Sequence, residues 1–188
     1  MKKCIILLML VCAFISCNED PIPKPKAYLR LEYPSPSYDT IYSSCNYSFV
    51  KNKIAVITNS RFSDSCWMNI KYPKMKGTIY LTYKKVDNNI DSLLVDTQQI
   101  TQKHMIKADE ITEQVFEDTI NKVYGMLYEV GGNAASQSQF YLTDSTNHFV
   151  TGSVYFFSKP NYDSIYPASE YLKKDIRHLM ESLRWNKP

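Results

Sequence analysis

The chain has 188 residues, 44% hydrophobic and 22% charged, a globular make-up that excludes both a disordered tail and a bundle of membrane spans. Its formal net charge of +3 comes from 22 basic against 19 acidic side chains, and Lys2 and Lys3 sit in a leader that export would remove. The remainder is close to neutral, so no electrostatic footprint points to nucleic acid, and 15 Tyr beside 5 Gly favour a strand-rich fold.

Lys2 and Lys3 precede an apolar run from Ile5 to Ile15. The run is shorter than the ~20 residues a spanning helix needs, and Asn18, Glu19 and Asp20 follow at once. Residues 1–16 therefore read as a secretion leader. Phe14-Ile15-Ser16-Cys17 resembles a bacterial lipobox, in which a small residue precedes a cysteine whose sulfur takes lipid before the leader is cut. Cys17 is then the lipidation site and the first residue of the mature chain; ordinary soluble secretion is the competing reading. Several acyl chains on one cysteine hold a protein firmly to a membrane, whereas one binds marginally. In residues 17–27, Pro21, Pro23 and Pro25 alternate with other residues and favour extended geometry, a stiff tether. About ten such residues reach roughly 30 Å.

Residues 28–188 read as a single domain. Strands are expected around Tyr28–Tyr33, Tyr47–Lys51 and Lys53–Asn59. Export and lipidation leave two cysteines, Cys45 and Cys66, in an oxidising compartment. They are candidates for a disulfide, the other reading being two buried free thiols. No metal site is expected, because paired CxxC and HExxH are missing and His104, His148 and His178 lack ligand spacing. Ile79, Leu81 and Tyr83 alternate with Thr78, Tyr80 and Thr82 in a strand over Thr78–Lys84. From Asn89 to about Ile106 a helix is expected, its stripe formed by Ile90, Leu93, Leu94, Thr97, Ile100 and Met105.

Further strands are expected at Lys122–Val130, Ser136–Thr143 and His148–Ser158, the last two joined as a hairpin by Asp144-Ser145-Thr146-Asn147. Val154, Tyr155, Phe156 and Phe157 put apolar groups on both sides of their strand, so each face of the sheet should be covered. A closing helix is marked by Ile165, Ala168, Leu172, Ile176, Leu179 and Leu183, with Ser164 as N-cap and Pro167 in the first turn. The class is α+β, a mostly antiparallel sheet with packed helices.

Between two of these strands, Tyr128-Glu129-Val130-Gly131-Gly132-Asn133-Ala134-Ala135-Ser136-Gln137-Ser138-Gln139 does not read as scaffold. Gly131 and Gly132 open backbone conformations closed to other residues, and neutral amides and hydroxyls follow. Tyr128, Glu129, Gly131, Gly132, Asn133, Ser136 and Gln139 are the interaction candidates of a surface loop. A wide hairpin connection bonded to its own backbone is the competing reading. GxxxxGK[ST] and GxGxxG are missing, so no nucleotide cofactor is expected.

Long runs of the chain resemble the gliding motility lipoprotein GldD family: Tyr28-Leu29-Arg30-Leu31, Cys66-Trp67 with Tyr72-Pro73, Ile79 to Lys84, Tyr124 to Ser136, Lys159 to Ser164 and Lys174 to Met180. The resemblance implies an accessory lipoprotein of the envelope machinery that moves surface adhesins and supports type IX secretion, without enzymatic activity. Its implied location is the cell envelope, the outer membrane first, on either the periplasmic or the surface face. The order of elements also resembles the PsbP/Mog1-like α/β sandwich, an analogy of fold alone. A glycan- or peptide-binding module using Tyr128, Asn133, Ser136 and Gln139 is the alternative. An enzyme with Ser136 or Ser138 as nucleophile and His148 as base has no nucleophile elbow behind it.

Overall fold

The computed structural model describes residues 31–59, 66–105, 108–158 and 161–186. The leader, Cys17 and the tether lie outside these residues. The strands are β1 (Tyr38–Tyr42), β2 (Tyr47–Asn52), β3 (Val56–Asn59), β4 (Met68–Tyr72), β5 (Gly77–Lys85), β6 (Glu110–Asp118), β7 (Val123–Gly131), β8 (Ser138–Thr143), β9 (His148–Phe156) and β10 (Arg184–Trp185). The helices are α1 (Ile90–Met105) and α2 (Tyr162–Ser182), and a single 3-10 turn, Pro73–Met75, links β4 to β5. Seven strands form one sheet in the order β3-β4-β5-β9-β8-β7-β6, and three form a second, β1-β2-β10. Every described pairing is antiparallel, as expected for the α+β class.

One face of the large sheet carries the core. Ile70, Ile79, Leu81, Leu127, Phe140, Leu142, Val150 and Val154 are buried against Leu172, Ile176 and Leu179 of α2 and against Tyr47 and Phe49 of β2. The steps of three and four between Ala168, Leu172, Ile176, Leu179 and Leu183 put those side chains on one stripe. On the opposite face α1 makes a thinner seal, where Leu93 meets Val86 and Phe149. The expected stripe of α1 holds at Leu93 and Thr97 and is corrected at Ile100, which is half exposed while Thr101 takes the inward position.

The closing helix also starts earlier than expected. Ser164 lies inside its first turn and Pro167 in its interior, with Asn161 at the N-cap. Asn161 makes no side-chain cap bond. Asn133, from the loop after β7, instead accepts from the Tyr162 N–H at 2.9 Å, satisfying a donor the helix start leaves open. β1, β4, β6 and β10 were not expected from the sequence, whereas residues 31–33 of the first expected strand are irregular.

Candidate interaction surfaces

The seven loop candidates do not form one outward surface. Gly132 is buried with φ at +89°, and a Cβ there would stand 2.6 Å from Oδ2 of Asp109, so both dihedral and space demand glycine. Gln137 Nε2 donates to the carbonyls of Gly132 and Ala134, and Ser136 Oγ donates to the Ser138 carbonyl. Ser136 is 0% exposed. Tyr128 and Gln139 are buried side by side in register on the α1 face, where Gln139 Oε1 accepts from Thr101 Oγ1 at 3.0 Å. Glu129 points to the other face and pairs with Arg177 and, at 3.9 Å, with Lys173. Gly131 is half-buried beside Glu110 and the Tyr162 hydroxyl. Asn133 is exposed, with its amide oxygen engaged on α2. The expectation of an open surface loop is thus corrected for Gly132, Ser136, Tyr128 and Gln139, because the loop's polar groups satisfy its own backbone and the neighbouring helices.

His148 stands at the far end of the strands from Ser136 and Ser138. Its carbonyl accepts from Thr143 Oγ1, the last residue of β8, while Ser138 is the first. Five residues of strand separate those ends by roughly 17 Å. Its Nδ1 is 2.8 Å from the Tyr83 hydroxyl, and its ring stacks on Trp185 with centroids 5.0 Å apart. Burial pushes the imidazole pKa below its ordinary value, against the opposing pull of Asp144. Asp144 accepts from the backbone N–H groups of Thr146, Asn147 and His148, which fixes the hairpin turn. Burial pushes its carboxyl up, but those donors outweigh it and leave the pKa lowered.

A cluster missed from the sequence surrounds Asp175. This carboxylate is buried on α2 and accepts from Tyr38, Asn52 and Tyr72, each at 2.9 Å. Burial first, then the charge and hydrogen bond of Asp175, holds the Tyr72 phenol far above its ordinary range. Asn52 also donates to Tyr171, which donates to the Pro34 carbonyl at 3.0 Å. Lys53 N–H donates to the Ser37 carbonyl at 2.7 Å. The entering segment is thereby fastened to α2 and to the β2–β3 turn. The signal was present: Asp175 lies three residues after Leu172 and one before Ile176, inside the apolar stripe.

At the opposite end of the strands, Cys45 and Cys66 form a disulfide with Cα atoms 5.6 Å apart. A cleft of about 650 Å³ opens beside it, lined by Trp67, Lys84, Asn89 and Asp96 among others. Tyr42, at 78% exposure, pairs in register with Ser48, whose other neighbour Arg184 ion-pairs with Asp118 at 3.6 Å. Ile120, two residues beyond Asp118, is 91% exposed. The described residues contain no cluster of three or more His, Cys, Asp or Glu able to hold a metal ion. No helix among them is long and apolar enough to cross a membrane.

A family model described as gliding motility lipoprotein GldD matches residues 18–185. No curated protein matches the chain. Among solved structures, the chain is similar to the solution structure of cyanobacterial PsbP (CyanoP) from Synechocystis sp. PCC 6803, with a TM-score of 0.51 and 8% identity. That alignment covers 90% of this chain and 97% of the other, and it supports the expected PsbP-like fold and nothing further.

Proposed function

The chain belongs to the gliding motility lipoprotein GldD family, a lipid-anchored family of the cell envelope, and on that premise we propose that it is a non-enzymatic accessory protein of the gliding and type IX secretion machinery. In this reading it sits on the outer membrane through Cys17 and acts by contacts with other envelope proteins. The observation that carries the protein-contact part is the Tyr42–Ile120 end. Two large apolar side chains, Tyr42 at the end of β1 and Ile120 in the β6–β7 turn, are 78% and 91% exposed at the end of the strands that also carries the Trp67 cleft. Exposed apolar groups at the same end as a cleft lined by Lys84 and Asp96 have the mixed apolar and polar make-up of a protein-contact surface. This end also lies away from the segment 31–37 through which the anchor reaches the body.

The test is genetic and structural together. A clean deletion should lower export of type IX cargo, and full export in the deletion strain would overturn the reading. Restoring the gene with Tyr42→Asp and Ile120→Asp together should leave export low while the protein stays folded and membrane-bound. Full rescue by that variant would remove this end as the contact surface.

A further inference from the structure

The other end of the large sheet has a corner that neither helix covers. In register across the strands, Val56, Lys71, Thr78 and Tyr155 form one row on the α1 side. Tyr80 and Tyr155 meet edge to face at 5.7 Å, and with Phe156 and Phe157 they line an open hollow of about 290 Å³. Phe157 is 71% exposed and Val56 52%, and Ile54 on the adjoining β2–β3 turn is also exposed. The Phe157 N–H bonds the Lys76 carbonyl, which sets that ring beside the turn carrying Lys74 and Lys76. Lys71, Lys74 and Lys76 are exposed and have no ion pair among the described residues, whereas Lys53 is held by Asp39 at 3.5 Å. Glu32 is exposed on the entering segment, and Asp109 and Glu110 stand at β6, the far edge of the sheet.

The chain from the lipidated end arrives at this same corner, because Ser37 is bonded to Lys53 and Tyr38 pairs with Asn52. Exposed aromatic and aliphatic side chains beside unpaired lysines suit one kind of surface. Rings and alkyl chains enter the headgroup zone of a bilayer while ammonium groups meet lipid phosphate. Each lysine at an anionic surface favours contact by about fivefold.

We propose that the Phe157–Val56–Lys71 corner is a membrane-contact face that seats the anchored body on anionic phospholipid. This rests on the lipoprotein reading. The body is then oriented rather than swinging on its tether, and the Tyr42–Ile120 end faces away from the lipid.

The full, lipid-modified protein is reconstituted into vesicles of phosphatidylcholine alone, or with about one-third phosphatidylglycerol, both carrying brominated acyl chains that quench tryptophan. Phe157→Trp and Val56→Trp report the corner, Ile120→Trp reports the opposite end, and the wild type supplies the background of Trp67 and Trp185. On phosphatidylglycerol vesicles the two corner variants should be quenched at least about twofold more than the wild type, and Ile120→Trp no more than it. Replacing Lys71, Lys74 and Lys76 together by Gln, or adding about 0.5 M salt, should return Phe157→Trp to background. Quenching at the corner equal to the wild type, or insensitive to the lysines, overturns the proposal. Flotation of the same samples separates the two readings: a chain that floats without corner quenching sinks this face alone, and a chain that does not float sinks the anchor as well.

Discussion

The two faces of the large sheet are sealed in different ways. Under α2 the contact is dry, with Leu172, Ile176, Leu179 and Met180 buried against aliphatic and aromatic strand residues. Under α1 the inward side chains after Leu93 are Thr97 and Thr101, hydrogen-bonded to a helix carbonyl and to Gln139. Gln139 Nε2 is buried with no hydrogen-bond partner among the described residues. Apolar burial scales with area and needs no geometry, whereas a polar seal contributes little beyond replacing water. The lesson is that α2 and the sheet form one unit, while α1 is a cover whose attachment is weak. Asp175 is the charged residue buried on the dry face among the described residues, and its three donors make it tolerable.

The largest effect should separate the two faces directly. Leu172→Ala, at a fully buried site against Gly77, should cost about 2–5 kcal/mol in urea unfolding, and Leu93→Ala about 1–2 kcal/mol. Equal costs would break the comparison. Next comes the tie between the two sheets. Cys45→Ser with Cys66→Ser opens a bridge across a separation of 21 residues and should cost about 3 kcal/mol, while the seven-stranded sheet keeps its far-ultraviolet spectrum.

A smaller effect sharpens the reading of α1. Thr101→Val removes the donor to Gln139 and should cost about 1 kcal/mol, and α1 amides should exchange hydrogen through local opening before those of α2. Global-only exchange in α1 would contradict a weakly attached cover. The smallest effect concerns the rim of the dry side, where His148 meets Tyr83 and Trp185. Its folded pKa lies below 6.5, so the unfolded chain binds more protons in that window and stability rises with pH. The contribution is complete above about pH 6.5 and fades as pH falls through the lowered folded value. Stability measured at pH 7.5 and at pH 5 should differ less in His148→Gln than in the wild type.

Periodicity made α2 and the β7–β8–β9 group legible, because each residue's burial there follows from its neighbours three, four or two places away. It failed where burial is decided elsewhere. β6 alternates poorly and carries Glu110, Glu113, Glu117 and Asp118, as an edge strand open to solvent does. Met68, Ile70 and Tyr72 of β4 do alternate, and that strand was readable but short. The inward turn of Ser136 and Gln139 depends on carbonyls of their own loop and on Thr101, and the cap from Asn133 reaches a helix 29 residues on. Asp175 draws its donors from residues 38, 52 and 72, pairings no local pattern contains. In α1, the stripe admitted Thr97 but followed Ile100 for its hydrophobicity, and the inside place there belongs to Thr101, which Gln139 engages.

β10 has a consequence for how the molecule is completed as it leaves the ribosome and the translocon. Arg184 pairs with Ser48, and the Ser48 hydroxyl donates to Asn186, 138 residues further along. β2 therefore waits with one flank bare until residues 184–186 have been delivered, and closure of the small sheet comes after that of the strands between. A product cut between α2 and β10 would keep both described helices yet leave that flank of β2 an unpaired edge, open to pairing with another chain.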